Sequence, residues 1–495
     1  MAGFIINLLG ACQRRRKNSM IHENSPHTKV VWSFSSRVLD EALAKRIANE
    51  KVTALRLAFH GDSDEKIPKF IQQFKNAHDP KLGEQASVMV DLSEGARVQL
   101  VDLNEPTEIQ FGELITMSPT GAGTSARFSV QVRYWDGLFR DGAMVYMGYG
   151  QVVMKVKKLA KDQVTLEVLQ GGTVFPNMDV HIPETRLRRS LDRIDDKFLQ
   201  KVCDLKVEYL VLPGITESED ITKFSERITK MTEDAPWLIL RIDSMDVYRR
   251  LDDLLPLVDG ILISRREMAL TTNPATIPMI TKEINQKADE HAKIVLTASE
   301  MLGSMRRGPT PTRAEVSDIA NAINDGSDAL VLSEEVAHGP YGLQALAVMN
   351  RIIEDTEKQG AEAFNWIKLE PSINNEMDAI SYNAYLTAER VHAKAIVCIT
   401  KAGNTALRLA SYRAPVPIVA VTFDERVARK LSLTRGVRSL VLNMDPKIDQ
   451  VLPLVNKHLV QESWLKPGDK IVFVSITLSS VSAKGSNLFT VQRLK

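Results

Sequence analysis

Pro309-Thr310-Pro311-Thr312-Arg313-Ala314-Glu315-Val316-Ser317-Asp318-Ile319-Ala320-Asn321-Ala322 separates two apolar runs, Lys293-Ile294-Val295-Leu296-Thr297-Ala298 and Asp328-Ala329-Leu330-Val331-Leu332-Ser333. The prolines end the preceding segment and stiffen the loop, because proline fixes φ and has no amide donor. Thr312 and Glu315 stand at the spacing of a capping box, so a helix is expected to open there. Asp325-Gly326 is its expected stop, since glycine accepts the left-handed conformation that closes helices. The stretch reads as one strand–loop–helix–strand unit.

The same rhythm extends outward. Runs at Val30–Phe34, Ala54–Phe59, Ser87–Leu92, Tyr209–Leu212, Leu238–Ile242 and Gly260–Ser264 join the two above, making eight predicted strands with helical patterns between them. Near-continuous apolar strands alternating with helices predict a parallel sheet covered by helices. A doubly wound open sheet is the alternative, and the count of eight favours a (β/α)8 barrel. An insertion from Val98 to Pro183 interrupts the series. It alternates with period two at Phe128–Tyr134, Met144–Tyr146, Gln151–Val156 and Val164–Val168, with Gly and Asp turns between. That pattern predicts a small all-β domain. Past the barrel, Ile352–Gln359 ends a long helix, and a helix over Glu376–His392 opens a second α/β block. Its expected strands are Ala395–Thr400, Pro417–Thr422, Ser439–Leu442 and Lys470–Ser475, with helices near Thr405–Ser411, Arg426–Thr434 and Lys447–Gln461. The expected division is a tail over 1–28, a barrel over 29–97 and 184–368, an inserted domain over 98–183, and an open α/β domain over 369–495.

The chain has 495 residues, which suits two to four domains. Its 44% hydrophobic and 25% charged content is ordinary for a soluble globular protein. A net charge of +1 offers no field for a nucleic acid. No apolar run approaches the roughly 18–20 residues that cross a bilayer, so no membrane role is expected. Cys12, Cys203 and Cys398 form neither a metal motif nor a disulfide framework, which favours a reducing, cytoplasmic compartment. Near the start, apolar Phe4–Leu9 precedes Arg14-Arg15-Arg16-Lys17, and no acid occurs before Glu23. A disordered tail and an arginine-rich transit peptide addressed to a mitochondrion or another organelle are both open readings.

The string Pro311-Thr312-Arg313-Ala314-Glu315, Ser317-Asp318 and Ala320-Asn321-Ala322, followed by Asp325-Gly326, Asp328 and Leu332-Ser333, resembles the pyruvate kinase family. The likeness runs from about Thr28 to the C-terminus. It implies a TIM barrel, a β-barrel lid at the insertion and a C-terminal effector-type domain. It also implies a homotetramer, or a hetero-oligomer with related subunits.

The resemblance then assigns roles at the strand ends. Arg56 matches the arginine that binds the transferring phosphate and substrate. Of the four potassium ligands only Asp91 is kept, with Ala58 and Leu92 at two of the others, so K⁺ is not expected. Arg241 stands where the family has the lysine that bridges donor and acceptor. A planar fork does not replace a point ammonium neutrally. Asp243 and Glu267 stand at the two carboxylates that hold Mg²⁺, one shorter and one longer by a methylene. The family's Ala-Arg-Gly-Asp is here Ser264-Arg265-Arg266-Glu267, so Arg265 and Glu267 fall in the substrate site and the glycine cradle is lost. Ser299 replaces the threonine near proton delivery. In the lid, Gly171-Gly172 is kept, but Met178 and Tyr149 replace a lysine and an aspartate. In the C-terminal domain, Thr400-Lys401-Ala402-Gly403-Asn404-Thr405 matches the effector-phosphate loop, and a phosphorylated sugar is the ligand implied.

So many altered contacts predict a catalytically impaired protein, a pseudoenzyme acting as a regulatory or assembly subunit. An active pyruvate kinase with Mg²⁺ and a structural component of a larger assembly are the alternatives.

Overall fold

The computed structural model describes residues 27–34, 39, 41–58, 66–79, 83, 85–92, 98–121, 126–132, 135–148, 150–176, 178–183, 191–298, 301–337, 340–363, 376–442, 448–475 and 488–495. Eight strands close into a barrel: Lys29–Phe34, Val52–Ala58, Ser87–Asp91, Tyr209–Leu212, Trp237–Ile242, Gly260–Ser264, Ile294–Ala298 and Ala329–Leu332. Each pairs in parallel with the next, and the eighth pairs back onto the first. The doubly wound alternative is therefore excluded.

Both faces of these strands are covered, which is why their sequences are apolar throughout rather than alternating. One face fills the barrel with Val31, Met89, Val211, Ile239, Leu262 and Val331. The other packs on the surrounding helices through residues such as Leu55, Val90, Leu240 and Ile263.

The insertion forms a second closed barrel of seven strands. The strand pairs Val152–Ala160 and Gln163–Gln170 carry alternating burial, as their period-two sequence predicts. The short strands Val98–Val101, Thr107–Ile109, Leu114–Pro119, Gly172–Val174 and Asp179–His181 were not singled out by periodicity. Three to six residues hold too few alternations to stand out. A Cβ on Gly171 would lie 2.5 Å from the Ile109 carbonyl oxygen. That glycine is thus needed for backbone contact within the lid, whatever else it does. The lid meets the barrel mouth at Gly150, where a Cβ would be 3.7 Å from Leu270 Cδ2.

The C-terminal sheet runs Val437–Val441, Ile418–Thr422, Ala395–Ile399, Lys470–Ser475, Leu488–Arg493. The first four are parallel, and Leu488–Arg493 is an antiparallel edge that the pattern reading omitted. The helix expected over Arg426–Thr434 ends early, at Lys430. The residues beyond it plug the other end of the barrel: Leu433 joins the barrel-interior cluster, and Ser432 Oγ lies 2.7 Å from Ser87 Oγ.

Candidate active site at the barrel mouth

Fold geometry puts the site at the C-terminal strand ends. There the structure brings together Arg56, Asp91, Arg241 and Glu267. Arg56 ends near the close of the second strand and is buried. Its Nε donates to Asp91 Oδ2 at 3.0 Å, Nη2 pairs with the same oxygen, and Nη1 reaches Ser33 Oγ at 3.3 Å. Asp91 is wholly buried, and Arg241 Nη1 approaches its Oδ2 at 3.9 Å. The arginines at these positions are inside the mouth and not on its rim.

Arg241 is held on two sides. Its Nε donates to Ser264 Oγ at 2.9 Å, and its Nη2 to Glu267 Oε1 at 2.6 Å. Ser264 closes the sixth strand, and Glu267 lies in the one-turn helix Arg265–Met268 that follows. Glu267 therefore engages Arg241 directly, a contact that sequence spacing did not suggest.

Arg265 turns elsewhere. Its Nη2 lies 3.5 Å from Asp318 Oδ2, on the helix Arg313–Asp325. The structure thus ties the signature helix to the site loop through Arg265. Ser299 and Tyr149 lie outside the described residues.

Asp243 follows the fifth strand two positions after Arg241, so both side chains leave the strand on the same side. Its Oδ1 is buried without a hydrogen-bond partner among the described residues. A Cβ on Gly214 would fall 2.1 Å from that oxygen. Gly214 is thus a site residue that sequence reasoning missed. The Pro213-Gly214 pair closing the fourth strand was the available signal.

The orphaned Asp243 oxygen fits a cation. No group of three or more His, Cys, Asp or Glu suited to a metal occurs among the described residues. Two carboxylates are nevertheless enough for Mg²⁺, which keeps several waters and takes substrate oxygens.

At the far side of the mouth, Arg306 pairs with Glu334. Glu335 is buried, accepts from the Ser333 amide at 2.9 Å, and has its carboxyl pushed up by that burial.

In the C-terminal domain, Thr400 Oγ1 accepts from the Gly403 amide at 2.9 Å. Gly403 adopts φ +99° and opens the helix Asn404–Ser411. Lys401, Ala402 and Asn404 are exposed, while Thr400, Gly403 and Thr405 are buried. The positive φ of Gly403, with a Cβ only 3.1 Å from the Trp237 ring, gives this glycine a structural reason of its own.

The barrel domain of pyruvate kinase matches residues 25–346, and the pyruvate kinase alpha/beta domain matches residues 378–491. The chain belongs to the pyruvate kinase family. It is 30% identical to the pyruvate kinase of Thermotoga maritima over 455 residues, covering 90% of this chain and 96% of that one. It is 28% identical to the pyruvate kinase of Clostridium perfringens over 477 residues, covering 94% and 99%. A crystal structure of a pyruvate kinase from Cryptosporidium parvum superposes with a TM-score of 0.80 at 24% identity, covering 98% and 99% of the two chains. Pyruvate kinase architecture thus accounts for the barrel, the inserted barrel and the C-terminal α/β domain.

Proposed function

We propose that this protein is a pyruvate kinase-family member that binds phosphoenolpyruvate at the barrel mouth but transfers its phosphoryl group slowly. It would serve as a regulatory or assembly subunit. The observation that carries this reading is the Arg241–Glu267 ion pair at 2.6 Å. It ties the cation that would bridge donor and acceptor to a carboxylate that would hold metal. Each must loosen its hold on the other for transfer to proceed. Arg56 is likewise already paired with Asp91.

Asp243 and Glu267 are the residues that would hold Mg²⁺, which when bound neutralises charge on the transferring phosphoryl group. Arg56 and Arg241 orient the phosphate, and Ser299 is assigned to the proton source. K⁺ has no role in this reading. The exposed residues of the Thr400–Thr405 loop are the proposed contact for a phosphorylated sugar, at the start of a helix whose amides point outward. Assembly as a homotetramer or with related subunits, and a cytoplasmic or organellar location, remain part of the same proposal.

The test is a coupled pyruvate assay with phosphoenolpyruvate, ADP and Mg²⁺ or Mn²⁺, with and without K⁺ and sugar bisphosphates. Turnover at least about 10²-fold below an ordinary family member is expected, the loss typical of one misplaced charge-stabilising contact. Turnover within about tenfold would instead favour an active enzyme using the same residues. One observation favours that second reading: the altered side chains contact one another instead of leaving gaps.

A further inference from the structure

Three of the replacements at the mouth fall on one another. Where the family motif has lysine, alanine and aspartate, this chain has Arg241, Ser264 and Glu267, and the latter two both bind the first. Alanine has no hydroxyl to offer Nε. Aspartate is a methylene shorter than glutamate and so reaches less far toward Nη2. An ammonium works as a point charge in any rotation, whereas a guanidinium recognises phosphate only in the plane of its fork. Replacing the lysine by arginine therefore creates a need for orientation that the motif residues do not meet.

Here that need is met from inside the barrel. Ser264 is wholly buried, and the Arg241 and Glu267 side chains are 13% and 14% exposed. Contacts at Nε and Nη2 constrain the guanidinium in two directions. With Asp91 beyond Nη1, the plane is set before any ligand arrives. Pre-setting it removes an ordering cost from binding.

We propose that Ser264 and Glu267 are positioning residues for Arg241, fixing its guanidinium plane so that a fork receives the phosphoryl group of phosphoenolpyruvate. This rests on the reading that the mouth binds phosphoenolpyruvate. It adds that the altered residues form one adapted unit, and it names Ser264 as part of the site.

A double-mutant cycle tests it, read by calorimetric titration of phosphoenolpyruvate into the full-length protein with Mg²⁺ present. Ser264→Ala is expected to weaken binding roughly tenfold, in line with losing a hydrogen bond to a charged group. In the Arg241→Lys background the same change is expected to matter less than about twofold, because an ammonium has no plane to set. Glu267→Gln, which keeps an acceptor at the same reach, should retain more affinity than Glu267→Ala. Unfolding midpoints of all variants control for simple loss of structure. Equal losses from Ser264→Ala in both backgrounds would overturn the positioning role while leaving the functional reading intact. A folded wild-type protein that binds no phosphoenolpyruvate would overturn both.

Discussion

Arg56 and Asp91 form a buried ion pair at the barrel mouth. Asp91 is fully buried, and a buried carboxylate without a partner is strongly disfavoured. In this chain Arg56 meets it through Nε and Nη2. With Ala58 and Leu92 at two of the other cation-ligand positions that the resemblance implies, no dependence on a monovalent cation is expected. Exchanging K⁺ for Na⁺ is expected to leave phosphoenolpyruvate affinity and the unfolding midpoint unchanged, as read by calorimetry and thermal melts. Arg56→Ala is expected to destabilise the protein by about 3 kcal/mol or more, because one partner of a buried pair is removed. A loss under about 0.5 kcal/mol in denaturant titration would mean that Arg241 alone compensates Asp91.

At the scale of elements, the helix Arg313–Asp325 joins the site to the domain interface. Its capping box is complete: Thr312 Oγ1 accepts from the Glu315 amide at 3.2 Å, and Glu315 Oε2 accepts from the Thr312 amide at 2.8 Å. Glu315 also takes the Ser304 amide at 2.6 Å, pinning the loop after the seventh strand. At the other end, Gly326 adopts φ +112°, and a Cβ there would lie 2.8 Å from Arg413 Nη2. Thr312→Ala is expected to lower stability by about 1 kcal/mol. Gly326→Ala should cost more, since it adds left-handed strain and displaces Arg413 from a bidentate contact with Asp289. Ranked denaturation midpoints check this order. Partial burial pushes the Glu315 carboxyl up, but hydrogen bonds from Ser304 and Thr312 outweigh it and hold it below its ordinary value. Its contribution is therefore present above the unfolded carboxyl range and lost as pH falls through the depressed value.

For the whole molecule, the barrel's lower end is closed by the C-terminal domain through buried charge. Glu357 on the helix Gly342–Ala363 accepts from the His27 amide at 2.7 Å and the Thr28 amide at 2.9 Å, and lies 3.5 Å from Arg435 Nη2. Arg435 in turn donates its amide to Asp328 Oδ1 at 3.0 Å. Burial, reinforced by Arg435, pushes the His27 imidazole down to about 4. The unfolded chain then binds the proton more readily between about pH 4 and 6.5. The His27 contribution is complete above the upper limit and falls away as pH drops toward the lower one. His27→Gln should flatten that part of the pH–stability curve. An unchanged slope in thermal melts from pH 4 to 7 would show that His27 is not the titrating group.

The sequence by itself determined the three-part architecture. Doubly covered strands must be apolar throughout, lid strands of eight or nine residues must alternate, and capping residues must sit at fixed offsets; all three are local patterns. It also marked Arg56, Arg241, Asp243 and Glu267 as mouth residues through the resemblance. Only the tertiary structure decided what those groups do to one another. Arg241 and Glu267 are 26 residues apart, and Arg56 and Asp91 are 35 apart. No periodicity links such positions, because their contact depends on how neighbouring strands align when the barrel closes. The contacts of Ser264 and Gly214 were decided in the same way. A serine ending a strand and a glycine after a proline acquire meaning only when a guanidinium or a carboxylate arrives from the strand beside them.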